Sequence, residues 1–268
     1  MSMSIQGPSP DGLLRSLQRT TDRQQRTLSH LATGKRIAGA SDDAAGLAIA
    51  RRLEAEVHGL AQGERNLAFG QGMARTAEGA LQGTQDNLIR MRELGIQARN
   101  GTLSSADRAT IQEEYDQLSA QVDQTAGGTR FGDRALLDGS SSGGSAPGIT
   151  DGSGGDTSLA IPDTGTAALG IAGLDVADPN TLKALDDASS QVSSVRSELG
   201  AADTRFSHQS AAIATSRANA EDSRSRIEDA DVAQEIASLT RDRILQSLQI
   251  SGLGAVAGNH HRVLDLLG

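Results

Sequence analysis

Between about residues 182 and 250 an apolar side chain returns at every seventh position: Leu185, Val192, Leu199, Phe206, Ile213, Ala220 and Ile227. The companion position, three residues further on, is mostly small: Ala188, Val195, Ala202, Gln209, Ser216, Ser223 and Ala230. A strict seven-residue repeat keeps one seam facing a partner only if helices supercoil left-handedly. The pattern therefore predicts one long helix over this run, and a helix for it to pack on. The N-terminal half supplies that partner, with Leu53, Leu60, Leu67, Ala74, Leu81 and Leu88 every seven and Gly63, Gly70, Ala77, Thr84 and Met91 beside them. The expected fold is mainly α: a long antiparallel helical coiled-coil rod, with a small β-hairpin region at one end and the termini paired at the other.

The stretches around the two ladders follow from local signals. Residues 1–10 carry Gly7, Pro8 and Pro10 and are expected to be disordered in isolation. A first helix follows, with Leu14, Leu17, Leu28 and Leu31 at its a and d positions, Thr21 and Gln24 weakening the same seam, and Gly34 as its cap. Ser41 is expected to cap the next helix, with Asp42 and Asp43 in its first turn. That helix crosses Gly59, Gly63, Gly70, Gly72, Gly79 and Gly83, each costing ~1 kcal/mol relative to Ala. The cost is understandable only where neighbouring backbones come very close. Ser104 and Asp107 open a third helix as a capping box, with Ile111, Tyr115, Leu118 and Val122 on one stripe. The Gly/Ser-rich run 140–155 reads as a flexible surface loop, flanked by short apolar pieces that fit hairpins. Asp178-Pro179 opens the long helix. The tail beyond Ile250 ends in Val263, Leu264, Leu266 and Leu267, with little of its own to bury against.

Composition narrows the function. Aromatics are 1% of 268 residues, so burial must come from aliphatic side chains on close-packed helices. There is no Cys, which excludes disulfides and thiolate metal sites. A net charge of −9 argues against nucleic-acid binding. The first 36 residues invert this, with six basic residues against two acidic ones, and Arg15, Arg19, Arg23 and Arg26 fall on one helical side. No apolar run approaches a membrane span, and no basic stretch leads into an apolar one as in a cleaved signal peptide. The five histidines form no zinc motif, and there is no phosphate loop, dinucleotide fingerprint or nucleophile elbow. No enzyme, cofactor or metal is expected.

Four motifs, in order, carry a resemblance. LATGKRI (31–37) running into SDDAAGLAIA (41–50), NLIRMRELGIQARNGT (87–102), FGDRALLDG (131–139), and SRIEDADVAQEIASLTRDRILQ (225–246) with VLDLLG (263–268) together resemble bacterial flagellins over nearly the whole chain. The resemblance implies a structural subunit that self-assembles into the flagellar filament for motility, folding its ends on polymerisation. It implies an extracellular filament reached by type III export without a cleaved signal peptide. Implied partners are the chain itself, an export chaperone at the C-terminal segment, the flagellar cap and junction proteins, and a Toll-like receptor contacting Arg90, Glu93, Leu94 and Glu114. The start and tail depart from the family in composition. The alternative, a hook-filament junction protein of related architecture, is disfavoured by SDDAAG, where junction proteins usually carry a Pro.

On this reading residues 1–40 form an N-terminal inner-tube segment and 41–178 the N-terminal part of the rod domain, with hairpin and Gly/Ser loop at about 129–178. Residues 179–230 form its C-terminal part and 231–268 the C-terminal inner-tube segment. The self-assembly residues are the ladder positions Leu53, Leu60, Leu67, Leu81, Leu88, Leu185, Val192, Leu199, Phe206, Ile213 and Ile227, with Leu14, Leu17, Leu28, Leu31, Leu264 and Leu267 at the ends.

Overall fold

The structure, a computed structural model, describes residues 10–267, and side chains from 11 to 256. The expected disorder of the extreme N-terminus lies outside the described residues. Five helices are present: α1 (Pro10–Thr33), α2 (Ala44–Ala98), α3 (Ser105–Gly128), α4 (Pro179–Glu228) and α5 (Val232–Leu267). Between α3 and α4 lie two antiparallel hairpins, β1 (Arg130–Phe131) with β2 (Arg134–Ala135), and β3 (Gly148–Thr150) with β4 (Asp156–Ser158). The fold is therefore mainly α with a small hairpin region. The chain divides into two compact units, Glu56–Ala218 and Met1–Ala55 with Asn219–Gly268.

In the unit Glu56–Ala218 the heptad ladders are the core. Leu60, Leu67, Ala74, Leu81 and Leu88 of α2, and Leu185, Val192, Leu199, Phe206 and Ile213 of α4, are all buried. Cross-links between the two helices keep one antiparallel register. Glu64 pairs with Arg217, Arg75 with Asp203, Glu78 with Arg196 and Arg92 with Asp186, so α4 numbers fall as α2 numbers rise. Helix α3 adds Ile111, Tyr115 and Val122 to the same core. Its start carries the capping box, Ser104 and Asp107 each bonding the other's backbone. The carboxyl of Asp107 is held below its usual range by the Ser104 hydroxyl and then by the Ser104 N–H.

The Gly/Ser run is not the free loop its composition suggests. Asn66 donates to the Thr150 carbonyl (3.0 Å), Gln209 to the Thr157 hydroxyl (3.2 Å), and Ile149 is buried beside Gly70 and Phe206. The close fit depends on glycine. A Cβ on Gly63 would stand 1.8 Å from the Asp151 carbonyl oxygen, and one on Gly152, at φ +76°, 2.2 Å from that of Gly59. Composition missed this because Gly and Ser read as flexibility when they are in fact permitting backbone to touch backbone.

In the other unit the expected continuous C-terminal helix is interrupted. It stops at Glu228 and restarts at Val232. Backbone bonds to the end of α1 replace the helical ones: Arg36 N–H donates to the Glu228 carbonyl (2.7 Å) and Ala230 N–H to that of Gly34 (3.0 Å). Asp231 then caps α5, accepting from the Ala233 and Gln234 N–H groups. The cap of α2 is likewise Asp43, which accepts from Gly46 N–H, while Asp42 accepts from Ala38 and Gly39; Ser41 does not cap. Gly34, at φ +71°, ends α1 as expected. Beyond Ile250 the backbone of α5 stays helical through its glycines to Leu267.

Candidate assembly surface

Helices α1 and α5 lie antiparallel, and their contact is unlike the seam of the other unit. The inward positions of α1 include Thr20 and Thr27, both buried, with Leu17, Gln24, His30 and Leu31 half-buried. Those of α5 include buried Asp242, with Glu235, Gln246 and Gln249 half-buried. Three polar pairs hold the register: Gln249 donates to Thr20 Oγ1 (3.2 Å), Arg23 pairs with Asp242 (3.4 Å), and His30 Nδ1 meets Glu235 Oε1 (3.0 Å). The network is half-satisfied, because Gln24 Nε2 and Gln249 Oε1 are buried with no hydrogen-bond partner. Such a network costs more than an apolar seam of the same size.

Several large apolar side chains face the other way. On α5, Val232, Ile236, Ile244, Leu248 and Ile250 are each more than half exposed. Four of these five recur at multiples of four residues, a ridge that winds across the helix surface away from α1. On α1, Leu14 and Leu28 are 45% and 47% exposed. At 100° per residue they flank the seam, and the antiparallel arrangement puts them on the side of the pair that also carries Val232, Ile236 and Ile250. The opposite side is basic. It presents Arg15, Arg19, Arg26 and Arg241, and a groove of about 630 Å³ lined by Arg23, Arg26, His30, Glu235, Arg241 and Asp242 among others. The seam of the pair thus mixes these polar groups with the half-buried Leu17, Leu31 and Leu239, with large apolar side chains exposed on one side and arginines on the other.

Charge separates by unit as well. From the sequence, Met1–Ala55 with Asn219–Gly268 holds 13 basic and 13 acidic residues, whereas Glu56–Ala218 holds 12 and 21. The whole net charge of −9 belongs to the second, and the first is neutral. Near-zero net charge favours association and a strong net charge favours solubility.

The sequence-designated residues fall into three groups. The ladders from Leu60 to Leu88 and Leu185 to Ile213 are buried within one chain, while Leu53 and Ile227 are half-buried. At the ends, Leu17 and Leu31 turn into the α1–α5 seam and Leu14 and Leu28 turn out of it; the side chains of Leu264 and Leu267 lie outside the described residues. Of the implied receptor face, Arg90 bonds Glu114 (2.7 Å) and Glu93 (3.1 Å) in the open. Leu94, expected on that face, is 1% exposed and belongs to the core; Ile89 and Ile96 are the exposed apolar neighbours. The outward ridge of α5 went unnoticed in the sequence, although its spacing of four was readable there. Among the described residues no group of three or more His, Cys, Asp or Glu stands where a metal could be held, and no helix is long and apolar enough to cross a membrane.

Residues 12–142 match the family described as bacterial flagellin N-terminal helical region, and residues 182–267 the bacterial flagellin C-terminal helical region. Among similar proteins are the flagellar filament 30.7 kDa core protein of Treponema maltophilum, 32% identical over 92% of this chain and 93% of that protein, and a flagellin of Halalkalibacterium halodurans, 33% identical over 91% of each. A solved structure of a flagellar hook-associated protein from Vibrio parahaemolyticus matches 70% of this chain and all of that one at TM-score 0.61; its 16% identity shows the fold alone.

Proposed function

The chain belongs to the bacterial flagellin family, and we propose that it builds its filament by covering the outward apolar faces of α1 and α5 with identical neighbours. It is a structural subunit of the flagellar filament, and its assembly partner is itself. The observation that carries the mechanism is the reversed burial of the terminal pair, with carboxylate, imidazole and amide groups inside and Ile236, Ile244 and Leu248 outside. Packing what remains exposed of each aliphatic side chain contributes on the order of 1 kcal/mol. Several such side chains per subunit offset the entropy of ordering two helices whose own seam is half-satisfied.

The test is Ile244→Lys with Leu248→Lys. These residues are exposed in the single chain, so the variant keeps its helicity and solubility. The critical concentration for filament formation, read by sedimentation and electron microscopy, is expected to rise at least about tenfold, the equivalent of ~1.4 kcal/mol per subunit. Wild-type assembly from this variant would overturn the mechanism.

The finer assignments extend the same reading. Export without a cleaved signal peptide, a chaperone on the C-terminal segment, contacts with cap and junction proteins and the inner-tube role of residues 1–40 and 231–268 rest on family membership. A Toll-like receptor would meet Arg90, Glu93 and Glu114, and it is the pairing of these three in the open that supports the assignment. Replacing Arg90 and Glu114 with Ala should lower receptor signalling by a wild type that is active.

A further inference from the structure

The arginine side of the α1–α5 pair has no counterpart in the apolar mechanism. Among the described residues, Arg15, Arg19, Arg26 and Arg241 on this side make no ion pair, although they share one helix pair with the unpaired Asp11 and Asp22. By sequence the two terminal helices carry a net +2. The remainder of their unit, residues 34–55 and 219–231, carries six basic and eight acidic residues, a net −2. In that acidic junction Asp42, Asp43, Glu221, Asp229 and Asp231 make no ion pair, against three basic residues, Arg36, Arg52 and Arg224, that also make none. The unit is neutral as a whole and charged at its two ends. Of the groove's arginines on α1, Arg23 and Arg26 lie roughly 12 to 17 Å along the axis from Gly34, while His30 and Glu235 line it one turn from the junction.

We propose that the arginine groove of one copy receives the acidic junction of the next copy. The occupant is a second copy because the junction supplies, on the same unit, net charge of the sign opposite to the groove's. Two different patches then meet, so the contact is heterologous, and a heterologous contact whose rotation does not close builds an open helical filament with a direction. The groove, about 630 Å³ and already holding the carboxylates of Glu235 and Asp242 against Arg23 and His30, is shaped for further carboxylates beside Arg26 and Arg241. The proposal rests on the filament reading and adds direction to it: the apolar side supplies affinity, and the charged ends set which end of a neighbour is accepted.

A charge exchange between two variants tests it. In one, Arg19→Glu and Arg26→Glu reverse the arginine side of which the groove is part; in the other, Glu221→Arg and Asp229→Arg reverse the junction. These changes sit on exposed helix or turn positions, and circular dichroism checks that both chains remain helical. Each variant alone is expected to raise the critical concentration at least about tenfold, since like charges meet at every contact. An equal mixture is expected to return to within about threefold of wild type, because every groove then finds a complementary junction on the other variant. The neutral pair R19Q/R26Q raises the concentration by an intermediate factor and guards against misfolding of the reversed chain. Either reversed variant assembling alone as wild type, or a mixture no better than its components, overturns the proposal. Wild-type filaments and the α5 lysine test are unaffected by that result, so the subunit reading would stand.

Discussion

Tyr115, the one tyrosine, is fully buried in the core of α2, α3 and α4, yet its hydroxyl has no hydrogen-bond partner. A buried unsatisfied hydroxyl costs about 1–3 kcal/mol, so Tyr115→Phe is expected to stabilise the chain by about 1 kcal/mol in denaturant unfolding. Burial, with help from the charge of Asp116, pushes the phenol up to about 12. The folded state therefore holds this proton more tightly than the unfolded one. The stability it lends is complete below pH 10 and is lost as pH climbs towards 12. Ultraviolet titration of the native chain should show no phenolate near pH 10; a normal titration there would mean the ring is accessible. The glycines of α2 make a matched pair of predictions. Gly63→Ala must push the Asp151 carbonyl away and is expected to cost about 2 kcal/mol despite better helix propensity. Gly79→Ala meets nothing within 4 Å and is expected to gain up to about 1 kcal/mol in the single chain. Equal thermal shifts for the two would contradict the docked hairpin.

The long helices of this chain do opposite things with their side chains. In α2 and α4 the apolar ladder is turned inward and the ion pairs lie at its margins, as with Arg75 and Asp203. In α5 an ion pair to Asp242 is turned inward and the apolar ridge outward. The first arrangement is complete within one molecule. The second leaves the side facing solvent apolar, and such elements open at low free energy until something covers them. Hydrogen exchange of backbone amides in α1 and α5 is accordingly expected to be fast in the monomer and slow in the filament. Amides of α2 around Leu81 and of α4 around Val192 should be protected in both. Protection of α5 in the monomer equal to that of α4 would remove the case for coupled ordering.

Taken whole, the molecule confines its net charge to one unit, while most of its exposed large apolar side chains lie on the other. The net −9 on Glu56–Ala218 keeps subunits soluble and apart until the neutral terminal unit finds partners. Limited proteolysis of the monomer is expected to remove much of α1 and α5 and leave a resistant fragment containing Glu56–Ala218. Filaments should resist the same digestion throughout.

Much of this was legible in the chain. The heptads of α2 and α4 could be read from spacing because one apolar seam facing one partner obliges a seven-residue repeat, and burial followed it from Leu60 to Phe206. The caps at Gly34, Ser104 and Asp178-Pro179 were equally local, since each satisfies backbone groups within a few residues. Three things needed the tertiary structure. The break at residues 229–231 exists because backbone groups of Gly34 and Arg36, some two hundred residues away, take the bonds that would have continued the helix. The Gly/Ser run becomes a docked hairpin because Gly59 and Gly63 lie beneath it. And which side of α1 and α5 is inward depends on how the two meet: Leu14 and Leu28 sit at apolar repeat positions, yet the seam runs through Thr20 and Thr27 instead. A repeat specifies that a helix has an apolar side; only the partner's position decides whether that side is spent within the molecule or left for the next one.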